Sequence, residues 1–342
     1  MCNIAGYIGT KKAAPILFEM IKKQEGYAGG YYAGIATIND NKILSQKLTG
    51  SVHMLENTDA VDFEGTIGVI HTRSNAGGSD EWAHPFLGTK NGEVITAYSA
   101  VGCSGYFAKN QNTKEVAGQL YNEGYTMLSS VDIESDLYPL LPNGKRAHMS
   151  DVMCQLIFKN ICEGNSSDIA MANAFCHMPA EIIGLNLHRD EPDRIAWAKV
   201  SEALFVSFAS HGVYVSSSPE AFPEDAGQVH MLPPNSSGYI FKDHYTVIPF
   251  EKNPCKVREL DGSFIAENYN RIYELLKNES AYYPLWDTIK PTFEGADVYQ
   301  VSSILNVVIE ALKRDNKLEM RTIEVDGAKD GIKAKQCMFK AK

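Results

Sequence analysis

Long apolar runs are missing from this 342-residue chain, and none approaches the ~18 residues that a membrane-spanning helix needs. No basic-then-apolar leader precedes CNIAGYIG, so a cytoplasmic protein without membrane contact is expected. Positive charge is in short supply, with 32 Lys+Arg against 42 Asp+Glu and a net charge of −10. That balance argues against coating nucleic acid or an anionic membrane, although a local basic patch stays open. The seven cysteines (2, 103, 154, 162, 176, 255 and 337) make no CxxC pair and leave one over in any disulfide scheme. No His/Cys/Asp spacing suits a metal, since His71, His84 and the cysteines fall on separate elements. GYAGGYYAG and VGCSGY are glycine-rich, yet neither has a dinucleotide-site setting nor a GKS or GKT phosphate loop, so no metal and no cofactor is expected.

What is present is an ordinary globular composition, 44% hydrophobic and 22% charged, long enough for one large domain and a smaller one. Residues 2–9 read as a strand, 13–23 as a helix with Pro15 near its first turn, and 33–38, 66–71 and 93–98 as further strands. Helices are expected near 112–123 and 148–163. From 180 to 250 strand follows strand, separated by DEPD, SHG and KDH, which reads as antiparallel hairpins. The pattern breaks at EKNPCKVRELDG, so the domains are drawn as 2–250, a linker at 251–262, and a small α+β unit at 263–342. In that unit three short amphipathic helices precede MRTIEV and IKAKQCMF, joined by DGAKDG, an order similar to a winged helix.

Cys2 stands apart by position. A thiol attacks only as thiolate and needs a base, and an α-amino group titrating near ~7.7–8.0 is well placed to be one. Removal of Met1, usual before a small residue, would give Cys2 its own base. The surrounding segments then carry a family resemblance. CNIAGYIG resembles the C-G-I-x-G-x-x-G opening of class II glutamine amidotransferase domains. EGYAGGYYAGIAT, IGVIHTRSNAGG, AHPF, ESDLYPLL and AKVSEALFVSF with GVYVSSSPEAF are similar to later segments of that family, in the family's order. The resemblance implies a four-layer α-β-β-α sandwich of the N-terminal nucleophile hydrolase type, an α+β fold. It implies that Cys2 attacks the side-chain amide of glutamine, or of a related amide, through a thioester. Arg73 would grip the α-carboxylate, for which its planar fork is suited. Asp136 would pair with the ammonium, and Ser74 and Asn75 would begin the loop that closes over the substrate. His71 is structural in the family.

Some positions depart from the family. Its oxyanion-hole Asn-Gly aligns with Ser99-Ala100 in ITAYSAVG, and losing one such donor typically costs ~2.7–4 kcal/mol. Ser99 retains a hydroxyl and Ala100 a backbone amide, so these two are the candidate stabilisers. Ala28 replaces an arginine, and Tyr31-Tyr32 replace Asp-Ser. No sugar-isomerase or phosphoribosyl domain fits after residue 247, so released ammonia is expected to go to a separate accepting subunit or to water. The leading expectation is an N-terminal-cysteine amide hydrolase of glutaminase type, with room for a homodimer. The competing one is a catalytically impaired glutamine-binding sensor or scaffold with a winged-helix tail. Residues 311–342 carry nine Lys+Arg against five Asp+Glu. Those charges read more readily as a solvated or packed face than as a nucleic-acid surface.

Overall fold

The computed structural model describes residues 2–78, 80–102, 111–252, 255–296 and 298–342. In chain order the first half comprises β1 (Asn3–Gly9), α1 (Ala13–Gln24), β2 (Tyr32–Asn39), β3 (Lys42–Thr49), α2 (Val52–Glu56), β4 (Ile67–Arg73), β5 (Phe86–Lys90) and β6 (Glu93–Gly102). Next come α3 (Gln111–Asn122), α4 (Met149–Cys162), α5 (Ser167–His177), β7 (Ile182–His188), β8 (Ile195–Lys199), β9 (Phe205–Ala209), β10 (Gly212–Ser216), β11 (His230–Met231), β12 (Ser236–Ile240) and β13 (Ile248–Pro249). The remainder is α6 (Gly262–Leu275), β14 (Ser280–Ala281), α7 (Tyr282–Ile289), α8 (Val301–Arg314), β15 (Leu318–Asp326) and β16 (Lys333–Ala341). Met1 and Cys103 lie outside the described residues.

Among the described residues two large antiparallel sheets form, ordered β11-β9-β10-β1-β4-β2-β3 and β13-β12-β8-β7-β6-β5. Strand alternation explains how they stack. On β1, Ile4 and Ile8 join Val69, Val101, Leu185, Trp197 and Val215 in one core between the sheets. Ala5 and Tyr7 instead pack with Leu17, Phe18 and Ile21 of α1. On the far side, Tyr98, Ala196 and Ala198 pack against Met153, Ile157, Met171 and Phe175 of α4 and α5. β1 is therefore covered on both faces, which is why CNIAGYIG is nearly continuous in apolar residues. Pro15 sits in the first turn of α1, where a missing N–H costs no intrahelical bond.

The hairpin run expected at 180–250 is divided between the sheets: β7 pairs with β8 in one, β9 with β10 in the other, and β12 returns to β8. β3 and α5 have no counterpart in the sequence reading. The lysines and glutamine of KILSQKLT hide the alternation, and α5 is apolar around most of its circumference.

No helix or strand occurs among the described residues of 251–261. Asp261 Oδ1 then caps α6 by accepting from Ser263 and Phe264 N–H, each at 2.9 Å. Ile272, Leu285, Ile304, Val308, Leu312 and Phe339 build a separate core, to which the first domain contributes Tyr27 and Ala28. β14, β16 and β15 form a three-stranded sheet in that order. α8 is buried along most of its length. Ser302 N–H donates to Glu181 Oε1 at 3.1 Å, and Ser303 Oγ donates to the Ser201 carbonyl at 3.0 Å. The terminal hairpin is held by Cys337 N–H on the Gly26 carbonyl at 2.8 Å and by Lys335 facing the buried Glu25 at 3.4 Å.

Candidate active site

Cys2 precedes β1 and is partly exposed, packed at the edge of the core between the sheets. β1 pairs with β4 with Asn3 opposite Thr72 and Ile4 opposite His71, and Cys2 and Arg73 each adjoin the Asn3–Thr72 pair in sequence. Both side chains line one cavity of about 290 Å³. That volume is near the lower end of ~300–1,000 Å³ for small-molecule sites.

Arg73 is only 1% exposed. Its guanidinium lies 4.5 Å from the Tyr32 ring centre and 5.6 Å from that of Trp82. Nη1 donates to the Gly77 carbonyl at 2.9 Å, while Nη2 is buried with no partner among the described residues. Tyr32, read from sequence as the loss of a family serine, has a definite task. It carries the guanidinium on its face and donates from its hydroxyl to the carbonyls of Gly77 and Gly78 at 3.2 and 3.1 Å. Tyr138 donates to the Ala76 carbonyl at 3.1 Å, so the loop after Arg73 is stapled by two tyrosines. Gly78 is required there: its φ is +89° and a Cβ would lie 2.4 Å from the Trp82 ring. Ser74, buried, and Asn75, exposed, both line the cavity.

Three imidazoles lie beneath. His71 and His84 stack with ring centres 3.9 Å apart, and His148 is 5.7 Å from His84. Burial is the main reason that all three are lowered, His71 to about 3 and the other two well below the usual range, so all are neutral near pH 7. The Ala100 N–H donates to His84 Nδ1 at 3.2 Å, and His71 Nε2 donates to the Ala100 carbonyl at 2.9 Å. A neutral His84 that accepts at Nδ1 carries its proton on Nε2, and His84 lines the cavity. Lys47 holds the segment presenting it, donating to the carbonyls of Glu81, Ala83 and Pro85 at 3.1, 2.8 and 3.2 Å.

Three residues expected at the site are placed as follows. The Ala100 amide is not a free oxyanion donor: Ala100 lines the cavity, but its N–H is already bonded to His84. Ser99 Oγ is buried without a partner among the described residues, and Ser99 is not on the cavity wall. Nor is Asp136 brought to the cavity. Its side chain is fully exposed, 3.9 Å from Arg146. The wall includes residues that the sequence did not suggest, among them His84, Tyr138, Tyr283, Trp286 and Asp287. AHPF marked the place of His84 but not its tautomer. Nothing local in PLWDTIK signals that this helix turns back over Cys2.

Among the described residues no group of three or more His, Cys, Asp or Glu could hold a metal ion, and no helix is long and apolar enough to cross a membrane.

No family model matches the chain. Among curated proteins it is 28% identical over 259 residues to the glutamine–fructose-6-phosphate aminotransferase (isomerizing) of Clostridium perfringens, covering 75% of this chain and 38% of that one. To the protein of the same name from Pyrococcus horikoshii it is 25% identical over 264 residues, covering 76% and 40%. The chain thus spans less than half the length of these relatives. Among solved structures, the glutamine phosphoribosylpyrophosphate amidotransferase from B. subtilis, complexed with ADP and GMP, aligns with a TM-score of 0.59 at 17% identity, covering 82% of this chain and 59% of that one. About three quarters of the chain is thus similar to part of these aminotransferases, and the fold is similar to that of the amidotransferase.

Proposed function

We propose that this chain hydrolyses the side-chain amide of glutamine, with Cys2 as nucleophile. The observation that carries the reading is a thiol and a buried guanidinium N–H, unpartnered among the described residues, on the wall of one cavity. With Met1 removed, the Cys2 α-amine takes the thiol proton and the thiolate attacks the amide carbon. Negative charge then develops on the amide oxygen, and the donor offered to it is His84 Nε2–H, in place of the Ala100 amide. The C–N bond breaks and ammonia leaves with the proton held by the α-amine. Water adds to the thioester, releasing glutamate and restoring the thiol. Arg73 holds the α-carboxylate throughout, so its contribution falls mainly on binding.

The ammonia acceptor belongs to another chain or domain in this reading. The small unit after residue 262 has the element order helix, strand, two helices, then hairpin, with the first strand paired to the last, and this supports a winged-helix type. Its α8 is packed on the first domain, and several of its basic residues are paired within the chain, Lys313 with Glu220, Lys329 with Asp80 and Arg321 with Glu279. We therefore assign it a protein-contact role and not a nucleic-acid one.

The test is ammonia release from L-glutamine by purified chain beginning at Cys2, with labelling by a glutamine-mimicking electrophile read by intact mass. Turnover lost in Cys2→Ala and a single adduct on Cys2 are expected. Folded protein with a free Cys2 amine, yet neither turnover nor adduct, overturns the proposal.

A further inference from the structure

A free amino acid brings two charges to its site, and the cavity must answer both. Arg73 answers the carboxylate. The carboxylate expected to answer the ammonium, Asp136, points into solvent beside Arg146 and does not line the cavity. Left there, an α-ammonium ion inside the cavity would face the Arg73 guanidinium without compensation, a costly arrangement where water is partly excluded. Among the described residues on the wall, one carboxylate is present, Asp287 of α7. Asp287 makes no hydrogen bond or ion pair with a described residue, and it lines the cavity beside Trp286, whose Nε1–H is buried and unpartnered among the described residues. α7 is fixed in place by its own core, through Leu285 and Ile289, and by the Tyr283 hydroxyl donating to the Ala28 carbonyl at 3.4 Å. The wall that carries Asp287 is thus supplied by the C-terminal unit, while the nucleophile and Arg73 come from the first domain.

We propose that Asp287 pairs with the α-ammonium of the bound amino acid, so that the C-terminal unit completes the substrate site and sets its preference for a free α-amine. This rests on the glutamine reading above. It makes Asp287 a specificity-determining residue outside the bond-breaking chemistry, and it gives the small unit a direct part in substrate choice.

The experiment compares L-glutamine with glutaramate, which has the same carboxylate and amide but no α-amine. Binding is measured by calorimetry on full-length Cys2→Ala chain, alone and with Asp287→Asn, Asp287→Ala or Asp136→Asn added. In the parent, glutamine should bind about ten- to a hundred-fold more tightly than glutaramate, as a charge-assisted hydrogen bond allows. Both Asp287 variants should bring the two ligands to within about threefold while leaving glutaramate affinity unchanged, a pattern that a merely structural role would not give. Asp136→Asn should keep the parental ratio. A ratio that survives loss of Asp287, or collapses with Asp136→Asn, overturns the assignment alone. Binding of neither compound by the folded parent overturns the glutamine reading and this assignment with it.

Discussion

Replacing Arg73 by methionine separates what the guanidinium does for the fold from what it does for a ligand. Nη2 is a buried donor without an acceptor among the described residues, which costs roughly 1–3 kcal/mol. Against that, the Nη1 bond to the Gly77 carbonyl contributes roughly 0.5–1.5 kcal/mol, and stacking on Tyr32 and Trp82 adds roughly 0.5–2 kcal/mol. Methionine removes all three while retaining an apolar stem, so the unfolding free energy should move by no more than about 3 kcal/mol in either direction. The ligand response should change far more clearly. At a hundred times Kd, glutamine stabilises a binding-competent protein by about 2.7 kcal/mol. Losing charge-assisted bonds worth about 1.5–3 kcal/mol would cut that response, at the same glutamine concentration, to about 0.3–1.3 kcal/mol. The assay is urea unfolding with and without glutamine, in a Cys2→Ala background so that the ligand is not consumed. An undiminished response to glutamine refutes the carboxylate seat. A loss beyond about 4 kcal/mol without ligand makes Arg73 a packing element first.

Other expectations follow from neighbouring contacts. Lys47→Met strands three carbonyls of the 81–85 segment and should destabilise the protein by about 2–4 kcal/mol in urea unfolding; a loss under about 1 kcal/mol contradicts the tether. A Cβ at Gly34 would lie 1.9 Å from the His84 carbonyl oxygen, so Gly34→Ala should lower both stability and Cys2 labelling rate, by about 1–3 kcal/mol or more in the former. An unchanged labelling rate would detach His84 from the chemistry. Glu202 is raised by burial from 4.5 to about 7, so between those values the folded chain keeps a proton that the unfolded chain has released. Stability from this group therefore falls as pH rises through that window, and Glu202→Gln should gain on the parent between pH 5 and pH 8; the reverse trend in urea midpoints refutes it. His71 titrates at about 3 in the fold against 6.5 unfolded, so its contribution to stability is lost as pH drops through that range, by at most about 1.4 kcal/mol per unit. Nitrogen NMR should find its ring neutral at pH 5, and a protonated ring there sinks the assignment.

The sequence made the β1–β4 half of the site legible because its signals are local: a thiol at position 2, an arginine ending an apolar strand, and the loop that follows. The layers were legible too, since each strand alternates or is covered on both faces. ESD failed as a guide to Asp136 because a three-residue segment carries no information on which way its loop faces. The Ala100 amide is illegible for a different reason. Whether it is free depends on an imidazole 16 residues away in sequence, and that contact needs the stacked histidines and Lys47 to exist first. Asp287 was beyond reach because α7 reads as an amphipathic helix of a separate unit, and amphipathicity fixes a buried face without naming the neighbour across it.

The Ile4 amide bonds the hydroxyl of Ser217, 213 positions along the chain, and the Cys337 thiol reaches the Glu25 carbonyl over 312. Such pairings close very large loops and can form, during synthesis, only after residues 217 and 337 have emerged. The Cys2 sulfur, among the first atoms made, therefore acquires the Tyr283, Trp286 and Asp287 part of its cavity late. Assembly order itself acts as a safeguard, holding back a nucleophile until the walls that discipline it are standing.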